Sequence, residues 1–284
     1  MSESTEPKKL SEKSSLAFIG CGVMAESIIA GLLRQSIVAP DQIATSHPRK
    51  ERRDELENKY KIQVFGDNAR AATAFSKIDT TVILCVKPQR LSSVLKELPP
   101  TSPAQLVISI VAGAGIDTIS EGLKSRRVVR AMPNTPSQIG AGMTVWTCSP
   151  EVDENQKTHV RIMLSALGKE LYVETENMID MATSLSATGP TYIFMVMEAM
   201  TDAGVHLGFS REIAKELVQQ TMLGSVLFAI ESQKHPAELR NMVTSPGGTS
   251  AEAIYQMEKG ALRTVLSKAI YAAYKRAVDL GKKK

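Results

Sequence analysis

The sequence has few aromatic residues, little excess charge and no long uncharged run, and each shortage excludes a class of protein. Aromatic side chains make up 5% of the 284 residues, and three charges of the net +4 belong to Lys282, Lys283 and Lys284. The rest of the chain is nearly neutral and offers few rings for base stacking, which argues against a nucleic-acid partner. No apolar stretch approaches the ~20 uncharged residues that cross a bilayer, so we expect no membrane segment.

Cysteine is also scarce, and its spacing indicates neither disulfides nor a metal site. Cys21, Cys85 and Cys148 lie far apart and form no ligand pattern. We therefore expect reduced thiols, no metal and a cytoplasmic location. Residues 1–14 mix Ser, Glu and Lys without an apolar run, so they are predicted to be a disordered tail and not a signal peptide.

The folded part opens with the order that a dinucleotide-binding βα unit requires. An apolar run at residues 16–19 is followed by a G-x-G-x-x-A turn and an apolar-periodic helix. Gly20 permits the tight turn, Gly22 leaves room for a diphosphate beside the backbone, and Ala25 allows the helix to pack closely on the strand. The turn residues predicted to bind the cofactor are Gly20, Cys21, Gly22, Val23, Met24 and Ala25.

The end of the second strand favours a phosphorylated cofactor. Residues 42–45 lead into a Ser-His-Pro-Arg segment, without the carboxylate that binds the ribose 2′-hydroxyl in NAD-preferring units. A hydroxyl and a cation can hold a 2′-phosphate through charge-assisted hydrogen bonds, so Ser46 and Arg49 are predicted to favour NADP(H). The alternative is that the basic residues are only the solvated start of the next helix, and we adopt it for Arg52 and Arg53.

Short strands alternate with helices in the first half of the chain, which predicts an α/β fold with a doubly wound, mostly parallel sheet. After the first two, strands are predicted at residues 62–65, 81–86, 106–110, 128–132, 143–148 and 171–173. Helices are predicted at residues 49–59, 68–75, 91–98, 116–123 and 151–167, and Gly168 is expected to end the last of them.

From about residue 176 the strand signals stop, and only helices are predicted, at residues 190–207, 210–233, 236–242, 249–259 and 261–280. The predicted organisation is a tail (1–14), an NAD(P)-binding Rossmann domain (15–175) and an all-α domain (176–284). Several of the late helices are apolar on nearly every side and must be buried on most of them. We therefore expect a homodimer whose helical domains interlock, with the Met-rich residues 195–200 in the dimer core.

Ligands of a doubly wound sheet lie outside the carboxyl ends of its strands. The turns at residues 85–88 and 111–113 follow two such ends, and they are predicted to wall the ribose and nicotinamide of the cofactor. The loop within residues 242–253 is Gly-rich, carries hydroxyls and leads into a helix, which suits a small carboxylate. Its alternative is an ordinary helix N-cap formed by Thr249 or Ser250.

Five segments together resemble the pyrroline-5-carboxylate reductase family, and the match covers nearly everything from residue 15 to residue 281. They are residues 20–25, 86–89, 132–136, 188–192 and 243–249, of which the Ser-Pro-Gly-Gly-Thr loop is the most family-specific. The resemblance implies an NAD(P)H-dependent oxidoreductase acting on a CH–NH bond. It also implies a Rossmann domain followed by a helical dimerisation domain, whose dimers can assemble into decamers.

The resemblance implies residue roles as well. For the cofactor it implies, besides the turn, Ser46, Asn68, Cys85, Val86, Lys87, Pro88, Ile110, Val111 and Ala112. For the substrate it implies Glu176, Ser245, Gly247, Gly248, Thr249 and Ser250. Thr249 and Ser250 are the candidate catalytic residues, one of them hydrogen-bonding the imine nitrogen. Met242 stands where some relatives have an Asn near the cofactor, so that contact is not assigned.

The implied reaction is hydride transfer from NADPH to the C=N carbon of 1-pyrroline-5-carboxylate, giving L-proline in the last step of proline biosynthesis, with NADH left open as a second donor. A cyclic iminium accepts hydride readily, so the protein mainly has to orient it. One alternative is an NADP-dependent dehydrogenase of the β-hydroxyacid type, but residues 192–203 lack the lysine that such enzymes carry there. The other is a non-catalytic NADP sensor, which the intact Ser-Pro-Gly-Gly-Thr loop disfavours.

Overall fold

The computed structural model describes residues 9–75, 80–102 and 104–282. The strands are β1 (Ser15–Ile19), β2 (Ile43–Ser46), β3 (Gln63–Phe65), β4 (Thr80–Leu84), β5 (Val107–Ser109), β6 (Val128–Met132), β7 (Gly142–Cys148) and β8 (Gly168–Tyr172). The helices up to residue 182 are α1 (Val23–Arg34), α2 (Lys50–Tyr60), α3 (Asn68–Ala72), α4 (Pro88–Glu97), α5 (Ile116–Leu123), α6 (Glu154–Ser165) and α7 (Asn177–Ala182). The later helices are α8 (Gly189–His206), α9 (Arg211–Ser232), α10 (Pro236–Met242), α11 (Thr249–Lys259) and α12 (Leu262–Lys282).

The strands form an eight-stranded sheet in the order β3-β2-β1-β4-β5-β6-β7-β8. All neighbours are parallel except β6 and β7, which are antiparallel. The chain moves outward in one direction from β1 and in the other from β4, so a topological switch point lies between these two strands. A crevice for ligands is expected outside their carboxyl ends. The predicted doubly wound, mostly parallel α/β sheet is confirmed.

Apolar side chains pack on both faces of this sheet. On β1, Leu16 and Phe18 belong to a core that includes Trp146, whereas Ile19 belongs to a second core that includes Ile119. Every residue of β1, β4 and β6 is buried. Helices on both faces exclude water from these central strands, so their sequences are nearly continuous apolar runs instead of alternating ones.

The predicted elements are all present, but several ends differ. Gly168 does not end a helix: α6 stops at Ser165, and Gly168 begins β8 with φ +129°. A Cβ there would lie 2.3 Å from the carbonyl oxygen of Gly142 on β7, so close approach of two backbones explains this glycine. The start of α6 is also later than predicted, because Asp153 caps it by accepting a hydrogen bond from the Gln156 amide.

The N-terminal segment packs earlier than the sequence predicts. Residues 1–8 of the predicted tail lie outside the described residues. Leu10, however, is 7% exposed, lies in the same core as Leu16, and its amide donates to the Ile37 carbonyl at 3.1 Å. The chain is therefore folded against the end of α1 from at least Leu10 onward.

The chain divides into two compact units, a sheet unit, which runs through Thr188 and includes the chain from Ala273 onward, and a helical unit, Gly189–Ala272. The domain boundary at residues 175 and 176 stays a prediction. Within the sheet unit, Ile179 of α7 is fully buried in a small cluster with Met132 and Val145. Among the described helices, none combines the length and the apolar character that a membrane crossing requires.

Candidate functional site

The turn between β1 and α1 leaves the first amides of the helix open. Gly20 has φ +85°, and a Cβ there would lie 2.9 Å from the Val86 side chain. Gly22 is the N-cap of α1 in extended conformation, with no side-chain cap and no atom within 4 Å of where its Cβ would be. Unpaired amides at a helix N-terminus, with open space beside them, fit a diphosphate.

Ser46 and Asn68 are brought to this turn by a chain of hydrogen bonds. The Gly20 amide donates to Ser46 Oγ at 2.8 Å, and the Ser46 hydroxyl donates to Asn68 Oδ1 at 2.7 Å. Asn68 Nδ2 in turn donates to Glu97 Oε2 at 2.8 Å. Ser46 is only 1% exposed. The Ser46 hydroxyl therefore holds the Gly20 turn in place. The spacing of residues in the sequence does not predict this role.

The basic residues after β2 fall into two groups. Arg49 is exposed at the N-cap of α2, and no hydrogen bond or ion pair among the described residues involves its guanidinium. Arg53 Nη1 donates to the Pro48 carbonyl at 2.8 Å, and Arg52 pairs with Glu26 and Glu55. Arg52 and Arg53 do lie in the first turns of α2, but they are half-buried and paired within the protein instead of solvated as predicted. Arg49 is the exposed cation of this segment.

Glu26, in the first turn of α1, accepts hydrogen bonds from three side chains. Lys59 Nζ lies 3.0 Å from its carboxylate, the Tyr60 hydroxyl lies 2.8 Å away, and Arg52 donates to its other oxygen. Burial disfavours the charged form, but the hydrogen bonds from Tyr60, Lys59 and Arg52 outweigh it and lower the pKa of Glu26. This carboxylate is consequently held by α2, and its charge is offset by two cations.

The cysteines near the turn are inert at neutral pH. Burial raises the pKa of Cys21 to about 11, although a hydrogen bond with Thr45 acts in the opposite direction. Burial also raises the pKa of Cys85 well above its usual value. Both thiols stay protonated, which agrees with Cys21 as a small apolar filler.

The loops after β4 and β5 lie beside the same turn. The Cys85 amide donates to the Ile19 carbonyl at 3.0 Å, and the Ile110 amide donates to the Leu84 carbonyl at 3.1 Å. The Val86 side chain lies where a Cβ on Gly20 would meet it, Lys87 is the exposed N-cap of α4, and Pro88 is the first residue of that helix. Val111 is 2% exposed, and Ala112 is half-buried. The structure therefore brings together the predicted cofactor residues from three adjacent strand ends.

Glu176 is held by two donors within the sheet unit. Its Oε1 accepts from the Ile116 amide at 2.8 Å, at the start of α5, and from Arg130 Nη1 at 3.1 Å. Arg130 Nη2 also lies 2.6 Å from Asp180 Oδ1 on α7. Sequence reasoning missed Arg130 and Asp180. The available signal was a cation in the middle of the apolar strand Val128–Met132.

In the Gly-rich loop of the helical unit, the hydroxyls of Thr249 and Ser250 do not cap α11. Gly248, not Thr249 or Ser250, is the N-cap of α11, so the N-cap alternative is wrong. Gly247 has φ +69°, and the Gly248 amide donates to the Ser245 carbonyl at 3.0 Å. Among the described residues, no hydrogen bond engages the side chains of Ser245, Thr249 or Ser250. The loop thus offers hydroxyls and an uncapped helix start.

No group of His, Cys, Asp and Glu among the described residues could hold a metal ion. The three cysteines are free thiols.

Comparison with known proteins covers almost the whole chain. A family profile described as pyrroline-5-carboxylate reductase dimerisation matches residues 176–280. A second, described as NADP oxidoreductase coenzyme F420-dependent, matches residues 15–113.

Two curated relatives and one solved structure show the extent of the similarity. The chain is 40% identical to the pyrroline-5-carboxylate reductase of Synechocystis, over 94% of this chain and 98% of that protein. It is 39% identical to that of Pseudomonas aeruginosa, over 93% and 96%. The crystal structure of Plasmodium falciparum pyrroline carboxylate reductase with NADP bound superposes with a TM-score of 0.86 at 29% identity, covering 95% and 99% of the two chains.

Proposed function

The chain belongs to the pyrroline-5-carboxylate reductase family, and on that premise we propose how its residues reduce the C=N bond of 1-pyrroline-5-carboxylate to give L-proline, the last step of proline biosynthesis. The observation that carries the proposal is the open N-terminus of α1 behind the Gly20 turn, in a chain that matches these reductases from end to end. An NADP(H)-dependent oxidoreductase acting on an imine needs such a dinucleotide site.

NADP(H) fits the sheet unit at the carboxyl ends of β1, β4 and β5. We assign the diphosphate to the amides of residues 20–25, and the ribose and nicotinamide to the loops at residues 85–88 and 110–112. When bound, NADPH supplies the hydride. The protein itself contributes the uncapped amides at the start of α1, a rigid Lys87-Pro88 turn, and close packing of Val86 beside Gly20.

Selection of the phosphorylated cofactor is assigned to the end of β2. Arg49 is exposed, and its guanidinium has no hydrogen-bond or ion-pair partner in the part of the chain that the structure describes, so it would bind the 2′-phosphate directly. Ser46 and Asn68 would complete this end of the site while they fix the Gly20 turn. NADPH is therefore the preferred donor, and NADH the slower one.

The loop before α11 is assigned to the substrate carboxylate. The backbone amide of Gly247 and the hydroxyls of Ser245, Thr249 and Ser250 would donate to it, with the helix dipole adding to the attraction. Gly248, whose own amide donates to the Ser245 carbonyl, would border the carboxylate without donating to it. Thr249 or Ser250 would also hydrogen-bond the imine nitrogen. A hydroxyl is a weak general acid, so water or the already protonated iminium supplies the proton. Glu176 is assigned to the substrate as well.

Assembly is the remaining part of the proposal. The apolar helices of the helical unit and the dimerisation profile support a homodimer. Association of dimers into a decamer and a cytoplasmic location are proposed from the family resemblance and from the reduced cysteines.

The test is oxidation of NADPH and of NADH by the purified protein, with and without pyrroline-5-carboxylate. We expect fast, substrate-dependent oxidation of NADPH and slower oxidation of NADH. Equal rates would leave the reductase intact but remove the phosphate role of Arg49. Tight NADPH binding without turnover would contradict the proposed reaction and favour a sensor.

The loop assignment is tested with Ser250→Ala. Because a hydrogen bond to the reacting substrate is lost, KM should rise and kcat should fall, lowering kcat/KM by more than about threefold. Ser93→Ala, on the exposed face of α4, is the matched control and should retain the wild-type kinetics. A smaller loss in Ser250→Ala than this threshold would remove Ser250 from the site.

A further inference from the structure

We infer that Glu97 is a positioning residue for NADP(H), which orients the Asn68 side-chain amide so that it offers a donor, and not an acceptor, to the 2′-phosphate. The inference rests on the proposed function, because the 2′-phosphate is assigned there to the end of β2. It adds a residue of α4 that neither the sequence patterns nor the family resemblance pointed to.

Helix stability gives no reason for a carboxylate at position 97. Glu97 is the last residue of α4 and is exposed. The C-terminal end of a helix carries partial negative charge, so an acid there is electrostatically unfavourable. Among the described residues, the Glu97 side chain makes one hydrogen bond, in which its Oε2 accepts from Asn68 Nδ2 at 2.8 Å. The contact with Asn68, the first residue of α3, is therefore what distinguishes Glu97.

Asn68 lies at the end of the site where the two cofactors differ. Ser46 is the last residue of β2, and the end of this strand is where doubly wound nucleotide-binding units contact the 2′ position of the ribose. The Ser46 hydroxyl donates to Asn68 Oδ1 at 2.7 Å, and Ser46 Oγ accepts from the Gly20 amide at 2.8 Å. The Asn68 amide is thus joined through one side chain to the turn that is assigned to the diphosphate.

Glu97 decides which end of the Asn68 amide faces Ser46. A serine oxygen has two lone pairs, so the bond from the Gly20 amide would still allow either Oδ1 or Nδ2 of Asn68 to face the hydroxyl. An ionised carboxylate only accepts hydrogen bonds, so Glu97 holds Nδ2 and leaves Oδ1 for Ser46. The orientation of the amide is therefore fixed from the side of α4.

This orientation leaves a donor for a ligand. Asn68 Nδ2 carries two hydrogens, of which Glu97 accepts one, and no other hydrogen bond of the described residues uses Nδ2. Asn68 is only half-buried, whereas Ser46 is 1% exposed and already donates its single hydrogen to Asn68. A reversed amide would present its carbonyl oxygen instead.

A donor at this position distinguishes NADPH from NADH. The oxygens of an ionised phosphate only accept hydrogen bonds, so a carbonyl oxygen facing them would be repulsive. A ribose 2′-hydroxyl both donates and accepts, so either orientation of the amide satisfies it. Loss of Glu97 should therefore weaken binding of NADPH and leave that of NADH nearly unchanged. The negative charge of Glu97 would by itself act in the opposite direction, because a carboxylate repels a phosphate.

The experiment is titration calorimetry, which measures Kd for NADPH and for NADH in the wild-type protein and in the variants. We expect Glu97→Ala to raise Kd for NADPH about fivefold and to leave Kd for NADH within about twofold, because one charge-assisted hydrogen bond is lost with NADPH only. Glu97→Gln should lie between Glu97→Ala and wild type, since a glutamine amide can accept from Asn68 or donate to it.

A double variant tests whether Glu97 acts through Asn68. Kd for NADPH in Asn68→Ala/Glu97→Ala should differ from that in Asn68→Ala by less than about twofold. Glu121→Ala is the matched control. Glu121 is exposed on α5, and no hydrogen bond or ion pair of the described residues involves its side chain, so this variant should keep both Kd values.

Three results would overturn the inference. Unchanged or tighter NADPH binding in Glu97→Ala would mean that Glu97 does not orient Asn68 and acts, if at all, by its charge. Equal rises in the two Kd values would make Glu97 a structural residue, and additive effects in the double variant would exclude action through Asn68. A wild-type protein that binds NADPH and NADH equally would instead overturn the proposed 2′-phosphate site, and the inference with it.

Discussion

The sheet unit and the helical unit bury their apolar residues very differently. In the sheet unit, every residue of β1, β4 and β6 is buried. In the helical unit, α8, α10 and α11 contain no buried residue, and α9 contains only Ala214 and Val218. Large apolar side chains of the same unit remain open, for example Phe194 at 59% and Leu227 at 54% exposure.

The difference shows what each unit needs in order to fold. The sheet unit finds apolar partners within its own chain, on both faces of the sheet. The helical unit has an apolar surface far larger than a soluble monomer keeps exposed, which marks an association surface. The match of residues 176–280 to a dimerisation profile agrees with this. The sheet unit is thus completed by its own sequence, whereas the helical unit carries the apolar surface of a dimerisation domain.

The strongest test of this comparison introduces a charged side chain at a solvent-exposed apolar position in each unit. Leu227→Asp in α9 should abolish dimerisation and activity, because an unpaired carboxylate in a dimer core costs several kcal/mol. A loss of about 4 kcal/mol raises the dissociation constant roughly a thousandfold. Ile139→Asp in the sheet unit, at a site 76% exposed, should change neither property.

For both variants, light scattering measures dimerisation and the NADPH oxidation assay measures activity. A dimeric, active Leu227→Asp protein would show that α9 is not at the interface. An inactive Ile139→Asp protein would mean that an exposed apolar residue of the sheet unit also has a partner.

The next prediction concerns the apolar core of the sheet unit. Leu32 of α1 is fully buried in the sheet unit, and Leu32→Ala should lower the free energy of unfolding by about 2–5 kcal/mol, since a cavity is left behind. Urea unfolding should give the same loss at low and high protein concentration for this unit. Leu33→Ala, at the half-buried neighbouring position, should cost less. A loss that shrinks as protein concentration rises would mean that the sheet unit, too, is stabilised by association.

The smallest effect should come from ion pairs. Glu26→Gln in the sheet unit should cost about 1–2 kcal/mol, because three donors lose a charged acceptor. Asp202→Asn in the helical unit should cost almost nothing, because its partner Arg211 is 67% exposed.

The pH dependence of this prediction follows from the pKa of Glu26, which is lower in the folded protein. Its stabilising contribution is complete above the unfolded value of about 4.3 and disappears as the pH falls through the folded value. Thermal unfolding of wild type and Glu26→Gln should therefore differ near neutral pH and converge in acid. A constant difference across that range would contradict the assigned ionisation.

Local sequence signals predicted most of the proposed nucleotide site. The Gly20 turn, the absence of a carboxylate after β2 and the turns after β4 and β5 are each readable within a few residues, because glycine, proline and charge act on their own neighbourhood. Gly168 shows the limit of such signals. A glycine after a helix pattern indicates a helix end, but this glycine is required by Gly142, which lies in another strand.

By itself, the sequence determined the alternating βα order, the dinucleotide turn, the switch to helices near residue 176 and the apolar faces that call for a second copy. These features depend on periodicity and on short-range backbone chemistry. Only the tertiary structure decided that Ser46 braces Gly20, that Gly248 caps α11, and that Arg130 joins Glu176 to Asp180. The contacts of Ser46 and Arg130 join residues far apart in the chain, and such geometry is fixed only when distant segments pack together. The cap of α11 is local, but its exact residue depends on backbone geometry that residue types alone do not determine.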